Sequence, residues 1–213
     1  MMIESDELRF DLKLIASWIS PGARVLDLGC GEGHLLKSLK DTKQVVGTGI
    51  EQSEVKASVC IEKGLSVLQG DINREVLDYE DKAFDFVILS QTLQQVYQPD
   101  ALLRSILRVG RKAIVSFPNF SHWLSRAQLL LTGYAPVTKQ LPYQWYDTPN
   151  IRVITLKDFR KFSRDVGFYI IREVAIHSGT RNESGRIVKF LPNLLATYGI
   201  FLISDRREER REH

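Results

Sequence analysis

The spacing of apolar residues along the chain switches repeatedly between two patterns, which predicts strands separated by helices. Apolar residues recur every three or four positions from Leu8 to Ile19, so a helix is predicted within residues 1–22. Strands are predicted at 24–29, 44–50, 66–69, 84–90, 112–117, 168–176 and 196–204. Further helices are predicted at 33–40, 53–63, 100–109 and 155–166. Several strands are near-continuous apolar runs, as expected when both faces are covered. The order predicts one α/β domain over residues 1–213, with a doubly wound, mostly parallel, seven-stranded Rossmann-like sheet.

The rhythm breaks after the fifth strand, so residues 118–150 are interpreted as an insertion. Six of the chain's twenty aromatic residues lie there, namely Phe120, Trp123, Tyr134, Tyr143, Trp145 and Tyr146. Trp and Tyr dominate interface hot spots, so the insertion can serve as a substrate lid or a partner-binding face. A small satellite core packed on the sheet edge is the alternative. His122 is a weak candidate for a catalytic base, against the commoner role of a hydrogen-bonded structural histidine.

Charge and composition exclude several partners. The chain carries 29 Lys and Arg against 26 Asp and Glu, and the two signs are interspersed, so no nucleic-acid partner is predicted. The run 205–213 alternates in sign and is interpreted as a solvated, charged tail. Cys30 and Cys60 have no metal-ligand spacing, and no apolar run approaches a membrane span. We therefore expect a cytoplasmic protein with reduced thiols, no metal site and no membrane contact.

A glycine-rich turn follows the first predicted strand and is the most informative stretch. It has the spacing Asp27-x-Gly29-x-Gly31-x-Gly33. Glycine permits positive φ and removes the Cβ that would keep a ligand from the backbone. A dinucleotide fingerprint needs a third small residue where His34 stands, and no Gly-Lys-Ser/Thr of a phosphate-binding loop follows. The spacing instead resembles the motif of class I S-adenosylmethionine-dependent methyltransferases.

Polar residues follow the next strands in a way that agrees with this resemblance. Glu51 ends the second strand, where an acid can accept hydrogen bonds from both ribose hydroxyls. Asp71 and Ile72 follow the third strand, where such methyltransferases bind the adenine amino group and ring. Ser90 ends the fourth strand. The predicted cofactor-binding residues are Asp27, Gly29, Gly31, Gly33, Glu51, Asp71, Ile72 and Ser90.

Longer strings make the resemblance more specific. VLDLGCGEGHLL, VILSQTLQQV, RVGRKAIVSFPNFSHW, LPYQWYDTPNIRV and FLPNLLA are similar to sequences of the methionine biosynthesis protein MetW family. The resemblance implies a cytoplasmic bacterial protein that binds S-adenosylmethionine or S-adenosylhomocysteine. It also implies a partner, a homoserine O-acyltransferase of the MetX type, which the protein supports or regulates.

Two functions remain open from the sequence. The first is a cofactor-binding partner of the homoserine O-acyltransferase, in which cofactor occupancy alters the face that meets the enzyme. The alternative is an active small-molecule methyltransferase, which works mainly by proximity and orientation because no obvious base is present. Whether the protein is an enzyme, its oligomeric state and the acyl donor of the partner are left open. A nicotinamide-dependent oxidoreductase is disfavoured by the glycine spacing.

Overall fold

One sheet of eight strands organises the part of the chain that the structure describes, residues 8–178 and 184–205 of a computed structural model. The strands are β1 (Arg24–Leu28), β2 (Val46–Glu51), β3 (Ser66–Gln69), β4 (Phe84–Ser90), β5 (Gly110–Pro118), β6 (Phe168–Ser178), β7 (Gly185–Ile187) and β8 (Tyr198–Asp205). The helices are α1 (Phe10–Trp18), α2 (His34–Lys43), α3 (Glu54–Glu62), α4 (Ile72–Glu75), α5 (Pro99–Val109), α6 (Trp123–Thr132), α7 (Leu156–Val166) and α8 (Pro192–Leu195). Short 3₁₀ turns occupy Val76–Asp78 and Leu93–Gln95.

The strand order is β3-β2-β1-β4-β5-β8-β6-β7. The first five strands are parallel, and β8 runs antiparallel to both β5 and β6. The doubly wound, mostly parallel α/β fold is therefore confirmed. The predicted count of seven strands was wrong by one, because β7 pairs with the edge of β6 over three residues. Such a short segment has too few positions to show a strand pattern.

The sheet is covered on both faces, as the apolar strands predict. In β1, Val25 packs among the residues of α1 and α2, whereas its neighbour Leu26 packs among those of α5 and α7. Alternation in β4 is the same, with Ile88 on the first face and Val87 on the second. Each buried side chain of this size stabilises the fold by roughly 1.5–3 kcal/mol. This packing holds the strand ends rigidly, which a ligand site at those ends requires.

The segment 118–150 contains a helix, α6, although the sequence pattern does not single one out. His122 is its N-cap and Gly133, at φ 72°, ends it. A left-handed residue after the last turn is a common helix stop, and glycine adopts it without strain. Ser125 is the one buried residue of α6. Most of the tail predicted at 205–213 lies outside the described residues. Within the described ranges, no helix is long and apolar enough to cross a bilayer.

Candidate functional site

Two adjoining cavities open at the carboxyl ends of β1, β2 and β4. Strand order reverses direction between β1 and β4, which is where ligands bind in open α/β sheets. The α1-side cavity has a volume of about 340 Å³ and is lined by Asp27, Arg9 and Leu12, among others. The β3-side cavity has a volume of about 320 Å³ and is lined by Glu51, Asp71 and Ile72, among others. The two share the lining residues Gly29, Gly31, Lys56, Ser90 and Gln91, so together they form one elongated groove.

The three glycines of the turn differ in what they face. All three have positive φ, between 58° and 77°. A Cβ on Gly29 would lie 2.8 Å from Thr92 Oγ1, and one on Gly33 would lie 2.4 Å from Leu65 Cδ1. A Cβ on Gly31 would meet nothing within 4 Å. Open backbone at the centre of the groove is therefore found at Gly31, while Gly29 and Gly33 allow the turn to pack against the protein.

The Glu51 side chain holds the glycine-rich turn in place by a hydrogen bond to the backbone of the turn. Its Oε2 accepts a hydrogen bond from the Gly31 N–H at 2.9 Å, and its Oε1 accepts one from the Ser53 N–H at 3.0 Å. The side chain is buried but still lines the β3-side cavity. Each carboxylate oxygen has two lone pairs, so Glu51 keeps acceptor capacity for a ligand.

Asp27 is a buried acid at the base of the α1-side cavity. Burial, and secondarily the nearby charge of Glu51, raise the pKa of Asp27 to about 7. A cationic group in the cavity would favour the ionised form of this carboxyl. Burial also raises the pKa of Cys30 strongly, which favours the protonated thiol beside this turn.

The other predicted residues lie around the groove. Asp71 is exposed and caps α4 by accepting a hydrogen bond from the Asn73 N–H at 2.9 Å. Ile72 follows it and is half-buried. Ser90 lies between the two cavities, with its Oγ 3.1 Å from Ser116 Oγ. Gly33 is the one predicted cofactor residue that lines neither cavity.

Sequence reasoning missed a polar contact between α1 and the loop after β4. Asp11 is buried and receives hydrogen bonds from Arg9 Nη2 at 2.9 Å and from Gln91 Nε2 at 2.8 Å. Gln91 has φ 52°, an uncommon conformation for a residue with a Cβ, and lines both cavities. The run of polar residues after β4 could have indicated such a contact. Its partner Asp11, however, lies 80 residues away in the chain.

The same loop connects the groove with Arg152, which follows the segment 118–150 in the chain. Gln94 Nε2 donates to the Gln91 carbonyl oxygen at 2.7 Å, and the Gln94 carbonyl accepts from the Arg152 N–H at 3.0 Å. Arg152 also donates through its guanidinium to the carbonyl oxygens of Val96 and Tyr97. A continuous set of hydrogen bonds thus runs from Asp11 to Arg152.

His122 lies outside the groove. Its Nδ1 accepts a hydrogen bond from the Leu124 N–H at 3.4 Å, so the side chain caps α6. Burial and the neighbouring His177 lower the pKa of His122, which keeps the imidazole neutral. Both histidines line a different cavity, of about 570 Å³, between α6 and β6. These contacts place His122 at the start of α6 and do not bring it to the groove.

Comparison with known proteins agrees with this architecture. The sequence model of the methionine biosynthesis protein MetW family matches residues 9–203. A relative from Rhodopirellula baltica, the bifunctional methionine biosynthesis protein MetXA/MetW, is 34% identical over 95% of this chain. The match spans only 33% of that longer protein. The ubiquinone biosynthesis O-methyltransferase of Pseudomonas putida is 28% identical over 70% of this chain and 66% of its own length.

A solved structure supports the fold. An S-adenosylmethionine-dependent methyltransferase from Thermotoga maritima, a possible histamine N-methyltransferase, superposes with a TM-score of 0.64. It is 18% identical, and the alignment covers 92% of this chain and 87% of that one. The sheet is thus of the class I methyltransferase type. Because the family match extends over nearly all of the described residues, the chain belongs to the methionine biosynthesis protein MetW family.

Proposed function

We propose that this protein binds S-adenosylmethionine or S-adenosylhomocysteine and supports or regulates a homoserine O-acyltransferase of the MetX type. The observation that carries the proposal is the groove with Gly31 at its centre, in a chain whose relative unites MetXA and MetW in one protein. Methionine synthesis begins with the acylated homoserine and leads towards S-adenosylmethionine, so this ligand would report the pathway's output to an early enzyme.

The residues of the groove fit the parts of this ligand. The amino acid end carries an ammonium group, and Asp27 offers it a buried carboxyl whose ionised form a cation stabilises. Glu51 has acceptor capacity for ribose hydroxyls, while Asp71 and Ile72 offer an acceptor and an apolar surface for adenine. Gly29, Gly31 and Ser90 line the junction of the two cavities, and Gly33 shapes the turn. S-adenosylmethionine supplies an electrophilic methyl group when bound.

The hydrogen bonds from Asp11 to Arg152 support a regulatory role. Gln91 lines both cavities, so a ligand in the groove contacts the loop 91–97. The same loop is hydrogen-bonded to Arg152, which follows the aromatic-rich segment 118–150 in the chain. Ligand binding can shift the state of that segment only if the ligand prefers one of its two arrangements. Differences in affinity of about 1–3 kcal/mol are typical of such coupling.

Calorimetry tests the proposal. S-adenosylmethionine and S-adenosylhomocysteine are titrated into the protein, alone and with the homoserine O-acyltransferase of the same organism, and homoserine acylation is measured with and without the protein. We expect binding of at least one ligand, and an affinity that differs by about 5-fold or more when the acyltransferase is present. Equal affinities would remove the regulatory role, and no binding would remove the cofactor.

An active small-molecule methyltransferase is the second candidate. The similarity to ubiquinone biosynthesis O-methyltransferase favours it. Catalysis by orientation needs no base, so the position of His122 outside the groove does not oppose it. Formation of S-adenosylhomocysteine from S-adenosylmethionine, measured with cell metabolites as acceptors, distinguishes the two. Turnover that requires an acceptor would favour the methyltransferase.

A further inference from the structure

Helix α6 exposes apolar side chains that the sheet does not cover. Leu130 is 86% exposed and Leu131 80% exposed, and Trp123 at the start of the helix is also exposed. Exposed apolar residues are common singly, whereas a contiguous group marks an interaction site. Helix α6 therefore has apolar surface that the described part of the protein does not cover.

The exposed residues form two neighbouring groups in the chain. Trp123 and Leu130 are seven positions apart in α6, so they project from one face of the helix, and exposed Tyr134 follows directly after its cap Gly133. Trp145 and Tyr146 make an edge-to-face pair with ring centroids 5.7 Å apart, and both are exposed. We call these residues the aromatic ridge: Trp123, Leu130, Leu131, Tyr134, Trp145 and Tyr146.

The composition around the ridge is that of an interface centre. Residues 118–150 contain three charged side chains, Arg126, Lys139 and Asp147, although 26% of the chain is charged. Aromatic residues are enriched and acids depleted in the buried centres of protein interfaces. A charge-poor surface of this kind loses little solvation energy when a protein covers it.

None of the ridge residues lines either half of the cofactor groove. This separation argues against a lid over the ligand. The relative that unites MetXA and MetW matches 95% of this chain, so its MetW part includes the segment that carries the ridge, and the remaining two thirds of that protein form a second unit. Joining two binding units in one chain raises their effective concentration for each other. Such a fusion is expected for units that bind each other.

We propose that the aromatic ridge is the surface on which the homoserine O-acyltransferase docks. This inference rests on the proposed function and names the part of the molecule that performs it. Arg152 lies just beyond the segment 118–150 in the chain and is hydrogen-bonded to the loop that lines the groove. Self-association through the ridge is a distinct outcome of the test.

The test measures the affinity of the full chain for the acyltransferase by calorimetry, with sedimentation to give the oligomeric state of each protein. Leu130→Glu introduces a charge into the ridge at its most exposed leucine, and Trp145→Ala removes a second ridge side chain. Ile61→Glu is the matched control, because Ile61 is 62% exposed on α3 and outside the ridge. We expect Leu130→Glu to weaken binding about 30-fold, which corresponds to about 2 kcal/mol at a hot spot, and Ile61→Glu to leave it unchanged. Thermal unfolding and S-adenosylhomocysteine binding verify that each variant is folded.

The possible results separate the surface from the function. If the wild-type chain binds the acyltransferase and both ridge variants bind it equally well, the docking surface is elsewhere while the proposed partnership stands. If the wild-type chain does not bind the enzyme, the partnership fails and the ridge loses its occupant. If the chain forms dimers that Leu130→Glu separates, without any acyltransferase binding, the ridge is a contact between copies and the proposal is overturned.

Discussion

The groove at the ends of β1, β2 and β4 and the aromatic ridge are both associated with segments that follow parallel strands, but they are built in opposite ways. In the groove, the Glu51 carboxylate is buried and accepts hydrogen bonds from the backbone N–H groups of Gly31 and Ser53. On the ridge, large apolar side chains such as Leu130 and Trp145 are exposed. Buried polar groups with partners suit a small, charged ligand, whereas exposed apolar groups suit a protein surface. Under the proposed function, the ligand and the partner would therefore bind to separate regions of the molecule.

The largest expected effect is at the centre of the groove. Gly31→Val should weaken S-adenosylhomocysteine binding at least a hundredfold, about 2.8 kcal/mol, because the new side chain occupies the open backbone. Gly22→Val is the control, since Gly22 also has positive φ, 71°, and open space around it but lies outside the groove. Calorimetry on both variants checks this. If both variants lost the same affinity for S-adenosylhomocysteine, backbone strain rather than filling of the groove would be responsible.

A smaller effect is expected where α1 meets the groove. Gln91→Leu removes a hydrogen bond to buried Asp11 and should lower the free energy of unfolding by roughly 1–3 kcal/mol. Gln95→Leu, an exposed position in the same loop, should change it by less than about 0.5 kcal/mol. Urea denaturation measures both. An unchanged Gln91→Leu stability would show that the Asp11 contact contributes nothing to holding α1.

We expect Asp27 to make ligand binding in the groove depend on pH. The pKa of about 7 is raised from an ordinary 3.8, so the stability this group contributes is fully present below about pH 4 and is lost as pH rises through 7. The affinity for the ligand should change with pH in the opposite direction, because the ammonium group of the ligand binds the ionised carboxyl. The affinity for S-adenosylhomocysteine should rise about tenfold between pH 6 and 8, following the ionised fraction.

Asp27→Asn is the control for that dependence. The variant cannot ionise, so its affinity should be lower and nearly flat over the same pH range, and its stability relative to the wild type should increase from pH 4 to 7. Calorimetry and urea denaturation at several pH values measure the two trends. A wild-type affinity that does not change with pH would contradict the role given to Asp27.

The smallest effect is expected on the ridge. Trp145→Ala should change the free energy of unfolding by less than about 0.5 kcal/mol, because the side chain is exposed and its ring contact is with another exposed residue. Phe159→Ala, a buried aromatic of α7, should cost about 3–5 kcal/mol. A large decrease in the free energy of unfolding for Trp145→Ala would mean that this ridge residue is part of the hydrophobic core.

The sheet was predictable because buried parallel strands are continuous apolar runs, and the glycine turn because its spacing is local. What separates Gly31 from Gly29 and Gly33 is contact with Thr92 and Leu65, which come from distant elements. The left-handed Gln91 and its bond to Asp11 depend on the docking of α1 and leave no local pattern. The exposure of α6 could not be deduced either, since its leucines are equally compatible with burial. The roles of the predicted site residues stay predictions.

The direction of β8 has a practical consequence for attaching the protein to a surface or a dye. Tyr198, at its start, pairs with Pro118 at the end of β5, and Asp205, at its finish, pairs with Phe168 at the start of β6. The strand therefore finishes on the opposite side of the sheet from the groove. A label attached at Asp205 would therefore lie away from the groove, whereas one attached at Arg9 would lie at the α1-side cavity.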